Sequence, residues 1–213
     1  MKLADQQSLP IRILSVDDHP LLREGIAAII NSQSDMTLAA VASSGNEAIQ
    51  RFREHQPDVT LMDLRLPDVS GIDALIAIRT EFPEARIIML TTFNGDVDIQ
   101  RSMKAGAHGY LLKNTPRKEL LEAIRRVHSG RKSVPPEVAS QLAEYFGAEH
   151  LTEREVDVLR RIAGGNRNKD IAMHLFITEE TVKVHVKHIV EKLGASDRTQ
   201  AVAIAARRGI IEI

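Results

Sequence analysis

Two adjacent acids (Asp17-Asp18), a third acid at Asp63, paired hydroxyls at Thr91-Thr92 and an amine at Lys113 each follow a short apolar run in this 213-residue chain. Ionised carboxylates only accept hydrogen bonds, and three of them brought to one place repel unless a cation lies among them. A hard divalent ion with oxygen ligands, such as Mg2+, meets that need. With an ammonium group beside it, such a site can hold a phosphoryl group, because metal and ammonium neutralise its oxygens. Taken singly, the same residues say less. An Asp after a strand is commonly a helix cap or turn residue, and Asp17-Asp18 could simply open a helix. A lone lysine is commonly solvated, and Tyr110 fits a half-buried core position. His19, next to the acidic pair, is expected at the surface rather than on a metal.

What must bring these residues together is the alternation around them. Apolar runs at Ile11–Val16, Thr37–Ala42, Val59–Met62, Ile87–Leu90 and Gly109–Leu112 are rich in Ile, Val and Leu and bounded by Asp, Pro or Gly. Such runs read as strands buried on both faces. Helix-length amphipathic segments lie between them, at about 20–31, 46–55, 72–82, 96–105 and 116–129. Five strands alternating with five helices imply a parallel sheet covered on both sides. Ligands of open parallel sheets bind beyond the carboxyl ends of the strands, which is where Asp17-Asp18, Asp63, Thr91-Thr92 and Lys113 fall.

The segments Val16-Asp17-Asp18-His19-Pro20, Leu61-Met62-Asp63-Leu64-Arg65-Leu66-Pro67-Asp68-Val69-Ser70-Gly71, Leu90-Thr91-Thr92 and Tyr110-Leu111-Leu112-Lys113 resemble the receiver domain of two-component response regulators. The resemblance spans residues 11–129 in order. It implies a flavodoxin-like (βα)5 fold in which Asp63 accepts a phosphoryl group. It further implies that Mg2+ is held by Asp18, by Asp17 chiefly through water, by Asp63 and by the backbone carbonyl of Arg65. Lys113 then pairs with the phosphoryl oxygens, Thr91 hydrogen-bonds one of them, and Tyr110 changes rotamer as the threonine moves. One departure is Asn114, where many receivers have proline after the lysine; a cis peptide at Lys113 is therefore not expected.

After Gly130 the pattern changes. Arg131–Ala148 carries Pro135-Pro136 and reads as a linker with a short helix at Glu137–Phe146. From Leu151 onward the chain reads as four helices. Thr152-x-x-Glu155 has capping-box spacing ahead of Val156, Leu159, Ile162 and Ala163, and Gly164-Gly165 ends that helix. A second begins near Asn168, Thr178 caps a third that reaches about Leu193, and a fourth follows Asp197. On a helical wheel Val182, Val186, Ile189, Val190 and Leu193 share one face, while Lys183, Val184 and Lys187 lie opposite with Glu180 and Glu191. Two lysines around a small apolar residue suit the major groove, where lysine donates to guanine and valine touches a thymine methyl. The plain alternative is a solvated charged face.

Leu151-Thr152-x-Arg154-Glu155, Asn168-Lys169-Asp170-Ile171-Ala172-x-x-Leu175, Thr181-Val182-Lys183-Val184-His185-Val186 and Lys192-Leu193-Gly194 resemble the LuxR-type helix-turn-helix. With a receiver in front, the whole chain is similar to the NarL/FixJ subfamily. The expected organisation is an α/β receiver over 1–130, a linker over 131–148 and an all-α DNA-binding domain over 149–213. The resemblance implies base contacts from Lys183, Val184 and Lys187, and backbone contacts from Lys169, Thr178, Thr181 and Arg198. It also implies a sensor histidine kinase as phosphodonor, a homodimer formed on activation and double-stranded promoter DNA as target.

Composition narrows the rivals. There is no cysteine, which excludes disulfides and thiolate metal sites. The net charge of −1 divides as −2 over residues 1–130 and +1 over 131–213, so any DNA footprint is local. Aromatics make up 3% and Trp is absent, a poor composition for stacking single strands. Met1–Gln7 lacks a signal-peptide run, and no apolar stretch nears the roughly 18 residues of a membrane span, so a cytoplasmic protein without membrane contact is expected. A Mg2+-dependent phosphatase needs a general acid beside its nucleophile, and Leu64 and Arg65 offer no carboxylate. A LuxR-type sensor of a small ligand wants an aromatic-lined pocket that the first half does not suggest. The chain is expected to be no enzyme beyond taking phosphate onto Asp63 and slowly hydrolysing it.

Overall fold

The apolar runs form strands because their side chains find cover on both faces of one sheet. The computed structural model describes residues 9–92, 95–136, 138–140 and 151–211. Strands β1 (Ile11–Val16), β2 (Met36–Ala42), β3 (Val59–Asp63), β4 (Ile87–Thr91) and β5 (Gly109–Leu112) pair in parallel in the order β2-β1-β3-β4-β5. Ile13, Leu14, Val16, Leu61, Met62, Ile87, Ile88 and Met89 are fully buried. Strand bounds match the sequence expectation except for one residue added to β2, β3 and β4. The last residues of β3 and β4 are the polar Asp63 and Thr91, which the apolar pattern alone does not count as strand.

Helices α1 (Pro20–Asn31), α2 (Gly45–His55), α3 (Gly71–Glu81) and α4 (Asp96–Lys104) connect the strands, and α5 (Arg117–His128) follows β5. Their starts follow local chemistry. Pro20 takes the first turn of α1, where its missing N–H costs nothing. Ser44 and Ser70 cap α2 and α3 by accepting from the backbone N–H groups of Glu47 and Asp73. Ile26, Ile30, Val59, Leu61, Ile88, Leu121 and Ile124 join one apolar cluster against the sheet.

The order in which strands are added reverses at β1, since β2 lies on one side of it and β3, β4 and β5 on the other. Val16 is paired with Met62, so the next residues, Asp17 and Asp63, leave adjacent strands side by side. Thr91 is paired with Leu112, which sends Lys113 out beside the same edge. Gly71 closes the loop after β3. A Cβ there would lie 1.9 Å from the Asp63 carbonyl oxygen.

Four further helices form their own core: α6 (Glu153–Ala163), α7 (Asn168–Leu175), α8 (Glu179–Leu193) and α9 (Arg198–Arg207). Val158, Leu159, Ile171, Val182, Ile189 and Ala205 are buried at its centre. The capping box read from Thr152 and Glu155 is present. α8 ends at Gly194, whose φ of 60° is the left-handed conformation that glycine adopts without strain. Phe176 takes the same region at φ 54° between α7 and α8. Contacts group the chain into two compact units: residues up to 92 with 101–136, and 93–100 with residues from 137 onward. Residues 138–140 are helical, and the remainder of the expected linker helix lies outside the described residues. Among the described residues no helix is long and apolar enough to cross a membrane.

Two glycines give opposite expectations. Gly71→Ala should lower stability by about 3 kcal/mol, because the new methyl meets backbone rather than a movable side chain. Gly25→Ala, within α1 and with nothing inside 4 Å of the new atom, should raise it by about 0.5–1 kcal/mol. Denaturant titration of both variants checks this, and an equal effect at the two positions contradicts the packing described.

Candidate functional site

Asp17 is fully buried and Asp63 nearly so, at 3% exposed, whereas Asp18 stands in solvent. Lys113 donates from Nζ to Asp63 Oδ2 at 2.8 Å and pairs with Asp17 Oδ2 at 2.8 Å. The other oxygen of Asp63 accepts the Arg65 N–H at 3.3 Å. Asp17 Oδ1 accepts the His19 N–H at 2.9 Å. The Lys113 N–H is itself anchored to the Thr91 carbonyl at 2.7 Å, which fixes where the long side chain starts.

Charge and burial work against one another here. Burial pushes the Asp63 carboxyl above its ordinary range; Lys113 opposes this without cancelling it, and the Asp17 charge adds to it. Burial alone would lower the Lys113 ammonium, yet its bonds to Asp17 and Asp63 outweigh that and raise it. Three carboxylates against one ammonium leave two negative charges at the edge. One ligand atom from each of Asp17, Asp18, His19 and Asp63 lies within 4.8 Å of the others. The residual charge and the oxygen-rich donor set fit a divalent cation such as Mg2+.

Thr91 is 1% exposed at the end of β4 while Thr92 is exposed, so burial separates two residues that adjacency in sequence could not. Tyr110 is fully buried rather than half-buried. Arg65 is exposed just beyond Asp63. A supporting residue that the sequence reading did not single out is Asp68. Its carboxylate accepts the N–H groups of Gly45 at 2.7 Å, Asn46 at 3.0 Å and Val69 at 2.7 Å. Burial would raise its pKa, but these N–H bonds outweigh burial and hold the carboxyl far below the usual range. It thereby pins the loop after Asp63 to the start of α2.

The second surface is on α8. Lys183, Val184 and Lys187 are exposed on the side away from buried Val182, Ile189 and Leu193. Lys183 reaches Glu180 at 3.0 Å and Lys187 reaches Glu191 at 3.8 Å, exposed pairs of the kind that contribute little to stability. Both lysines can therefore exchange partners at small cost. Lys169 is exposed on α7. Thr178 and Thr181 lie at the α8 start, where Thr178 Oγ1 accepts the Thr181 N–H at 3.1 Å. Arg198 is half-buried and donates to the Asn168 side chain at 3.3 Å and the Asn166 carbonyl at 3.1 Å, so it ties α9 to the turn before α7.

Sequence reading assigned Glu155 only to a cap. It is 3% exposed, accepts the Thr152 N–H at 2.7 Å and also takes Lys192 of α8 at 2.8 Å. One carboxylate thus caps α6 and holds α8. Burial raises its pKa, but Lys192 and Thr152 outweigh burial and lower it below the ordinary 4.5.

Comparison with known proteins gives two family matches. Residues 13–125 match the response regulator receiver domain, and residues 149–205 match the luxR family of bacterial regulatory proteins. YxjL, a transcriptional regulatory protein of Bacillus subtilis, is 42% identical over 95% of this chain and 98% of its own length. The response regulator protein VraR of Staphylococcus aureus is 38% identical over 96% of this chain and 100% of its own. Among solved structures, the response regulator ChrA of a heme-sensing two-component system is similar at 35% identity and a TM-score of 0.58, covering 95% of this chain and 99% of that one.

The Glu155 bridge gives a pH dependence with a definite sign. A carboxyl lowered in the folded state stabilises above its ordinary value and loses that contribution as pH falls through the lower folded value. Glu155→Gln should therefore cost about 1.5–3 kcal/mol near neutral pH. The gap to the wild type should narrow as pH falls below 4.5. Hydrogen exchange of α6 and α8 amides reads this; a gap independent of pH contradicts the ionised bridge.

Proposed function

Since the chain belongs to the response regulators, with a receiver domain ahead of a LuxR-type DNA-binding domain, we propose that it is a transcription factor switched by phosphorylation of Asp63. The observation that carries the proposal is the Lys113 ammonium, 2.8 Å from both Asp63 and Asp17. An amine so placed already occupies the position from which it can follow incoming phosphoryl oxygens.

On this reading a sensor histidine kinase supplies the phosphoryl group. An Asp63 carboxylate oxygen attacks phosphorus, the phosphorus–nitrogen bond of the donor breaks, and the departing imidazole keeps the electron pair. Asp17, Asp18, Asp63 and the Arg65 carbonyl would hold Mg2+, which supplies charge neutralisation for the phosphoryl oxygens. Lys113 exchanges its bond with Asp63 for one with the phosphoryl group. Thr91, buried at the end of the neighbouring strand, takes another of its oxygens, and the buried ring of Tyr110 shifts with it. No external substrate is turned over; the only hydrolysis is slow loss of phosphate from Asp63.

The output is double-stranded promoter DNA. α8 enters the major groove with Lys183, Val184 and Lys187 against base edges, while Lys169, Thr178 and Thr181 approach the backbone. Arg198 acts on the backbone only by giving up its bonds to Asn166 and Asn168. Phosphorylation promotes a homodimer, paired through α9, which reads two half-sites.

Two tests follow. Asp63→Asn should abolish labelling by acetyl phosphate with Mg2+ and remove phosphate-stimulated DNA binding; retained labelling contradicts the acceptor assignment. Lys187→Ala should cost about 1–3 kcal/mol at the cognate operator and much less on unrelated duplex. An equal loss on every sequence would place Lys187 on the phosphate backbone.

A further inference from the structure

The amino ends of β4 and β5 lie at the sheet edge opposite the acids, and cations gather there. Arg86 precedes β4 and His108 precedes β5, joined where the His108 N–H donates to the Ile87 carbonyl at 2.8 Å. Arg79 of α3 reaches the same corner. Its guanidinium donates to the Ala85 carbonyl at 2.8 Å and lies against Gly106, where a Cβ would be 2.6 Å from Nε. Lys132 joins from the segment after α5, because Ser133 bridges to Gly109 and donates its N–H to the His108 carbonyl at 2.9 Å. Arg79, Arg86 and His108 are half-buried, and Lys132 is exposed.

Among the described residues, none of Arg79, Arg86 and Lys132 forms an ion pair with a carboxylate. Half-buried guanidinium groups ordinarily meet a carboxylate or a phosphate. His108 Nδ1 is itself buried with no hydrogen-bond partner. Burial and the charges of Arg79, Arg86 and Lys132 hold this imidazole below the ordinary 6.5, with Glu84 opposing them. Three cations against the Glu84 carboxylate leave two positive charges, the reverse of the acidic edge.

We propose that Arg79, Arg86 and Lys132 form a site for a phosphate dianion, free or as a monoester, beside His108. The residual charge matches a dianion, and the two planar guanidinium groups can each offer paired N–H donors to its oxygens. The site also reaches the chain that leaves the receiver. Lys132 adjoins Ser133, whose carbonyl accepts the Tyr110 N–H at 3.1 Å, so a bound anion holds this segment on the edge of β5. No residue is shared with the Asp63 edge, and the inference stands apart from the phosphoacceptor reading.

The test titrates the full chain with inorganic phosphate, against chloride at equal ionic strength, and follows nuclear magnetic resonance signals of Ser133 and the His108 ring. Phosphate should bind saturably, slow hydrogen exchange of the Ser133 and Tyr110 amides, and raise the His108 pKa toward its ordinary value. Lys132→Ala and Arg86→Gln should each weaken binding by about tenfold or more. Lys118→Ala removes a lysine on α5 that is 87% exposed and outside the site, and should change affinity by less than about twofold. Glycerol 3-phosphate binding as tightly as phosphate supports a monoester as the ligand, and weaker binding supports the free ion. The same signal changes with chloride, or equal losses in Lys118→Ala and Lys132→Ala, overturn the site as a plain screening effect. An unmoved His108 pKa at saturating phosphate overturns it too. Binding lost in Asp63→Asn but kept in Lys132→Ala places the anion at the acidic edge, which refutes this site and leaves the phosphoacceptor reading intact.

Discussion

Two buried carboxylates at neighbouring strand ends cannot both ionise without a cation, and Lys113 meets that constraint at 2.8 Å from each. Much of the first unit serves to hold this arrangement. Parallel pairing of β1 with β3 sets the two acids side by side, and pairing of β4 with β5 delivers the lysine. The hydrogen bond from the Lys113 N–H to the Thr91 carbonyl then links the amine to the strand that carries the hydroxyl. The ammonium answers only part of the charge, since Asp18 adds a third carboxylate at the rim. That residual negative charge makes the edge compatible with a divalent cation, which a finished ion pair would not be. On the proposed reading, a phosphoryl group arriving with a divalent ion would change the partners of Lys113 without leaving either buried carboxylate alone.

The same economy recurs in the helical unit, with a different purpose. Glu155 is also buried and also shared, between the start of α6 and Lys192 of α8. It leaves no charge unanswered, and so it fixes geometry where the first cluster is poised for exchange. Among the described residues, Lys183 and Lys187 on the outer face of α8 pair with exposed, weakly held acidic neighbours along their own helix. α8 is thus packed on its inner side and free to trade partners on its outer side, as the proposed groove binding would ask of it.

Much of this was legible in the residues. Strand ends came within one position, because runs of Ile, Val and Leu bounded by Asp, Pro and Gly have one good packing solution. Asp17, Asp18, Asp63 and Lys113 could be gathered from topology alone, since parallel sheets bring their strand ends to one edge. Pattern reading failed where the answer depended on which neighbour a side chain meets. Periodicity places Glu155 at a cap but says nothing of Lys192, 37 positions later. Arg198 looks like a free cation in sequence and is in fact spent on Asn166 and Asn168. Asp68 was visible only as part of a motif until its three N–H partners appeared. His19 was expected to face solvent, and most of it does; what sequence could not show is that its nitrogen turns back onto the acids.

The central claim is that the edge occupied by Asp17, Asp63 and Lys113 is built to receive a phosphoryl group on Asp63. The most direct measurement is a crystal structure of the chain grown with Mg2+ and beryllofluoride, a stable mimic of that group. The account predicts beryllium bonded to an Asp63 oxygen, with a fluorine at about hydrogen-bond distance from the Lys113 ammonium. An adduct on Asp17 or Asp18, or a bound mimic from which Lys113 stays turned away, would contradict it.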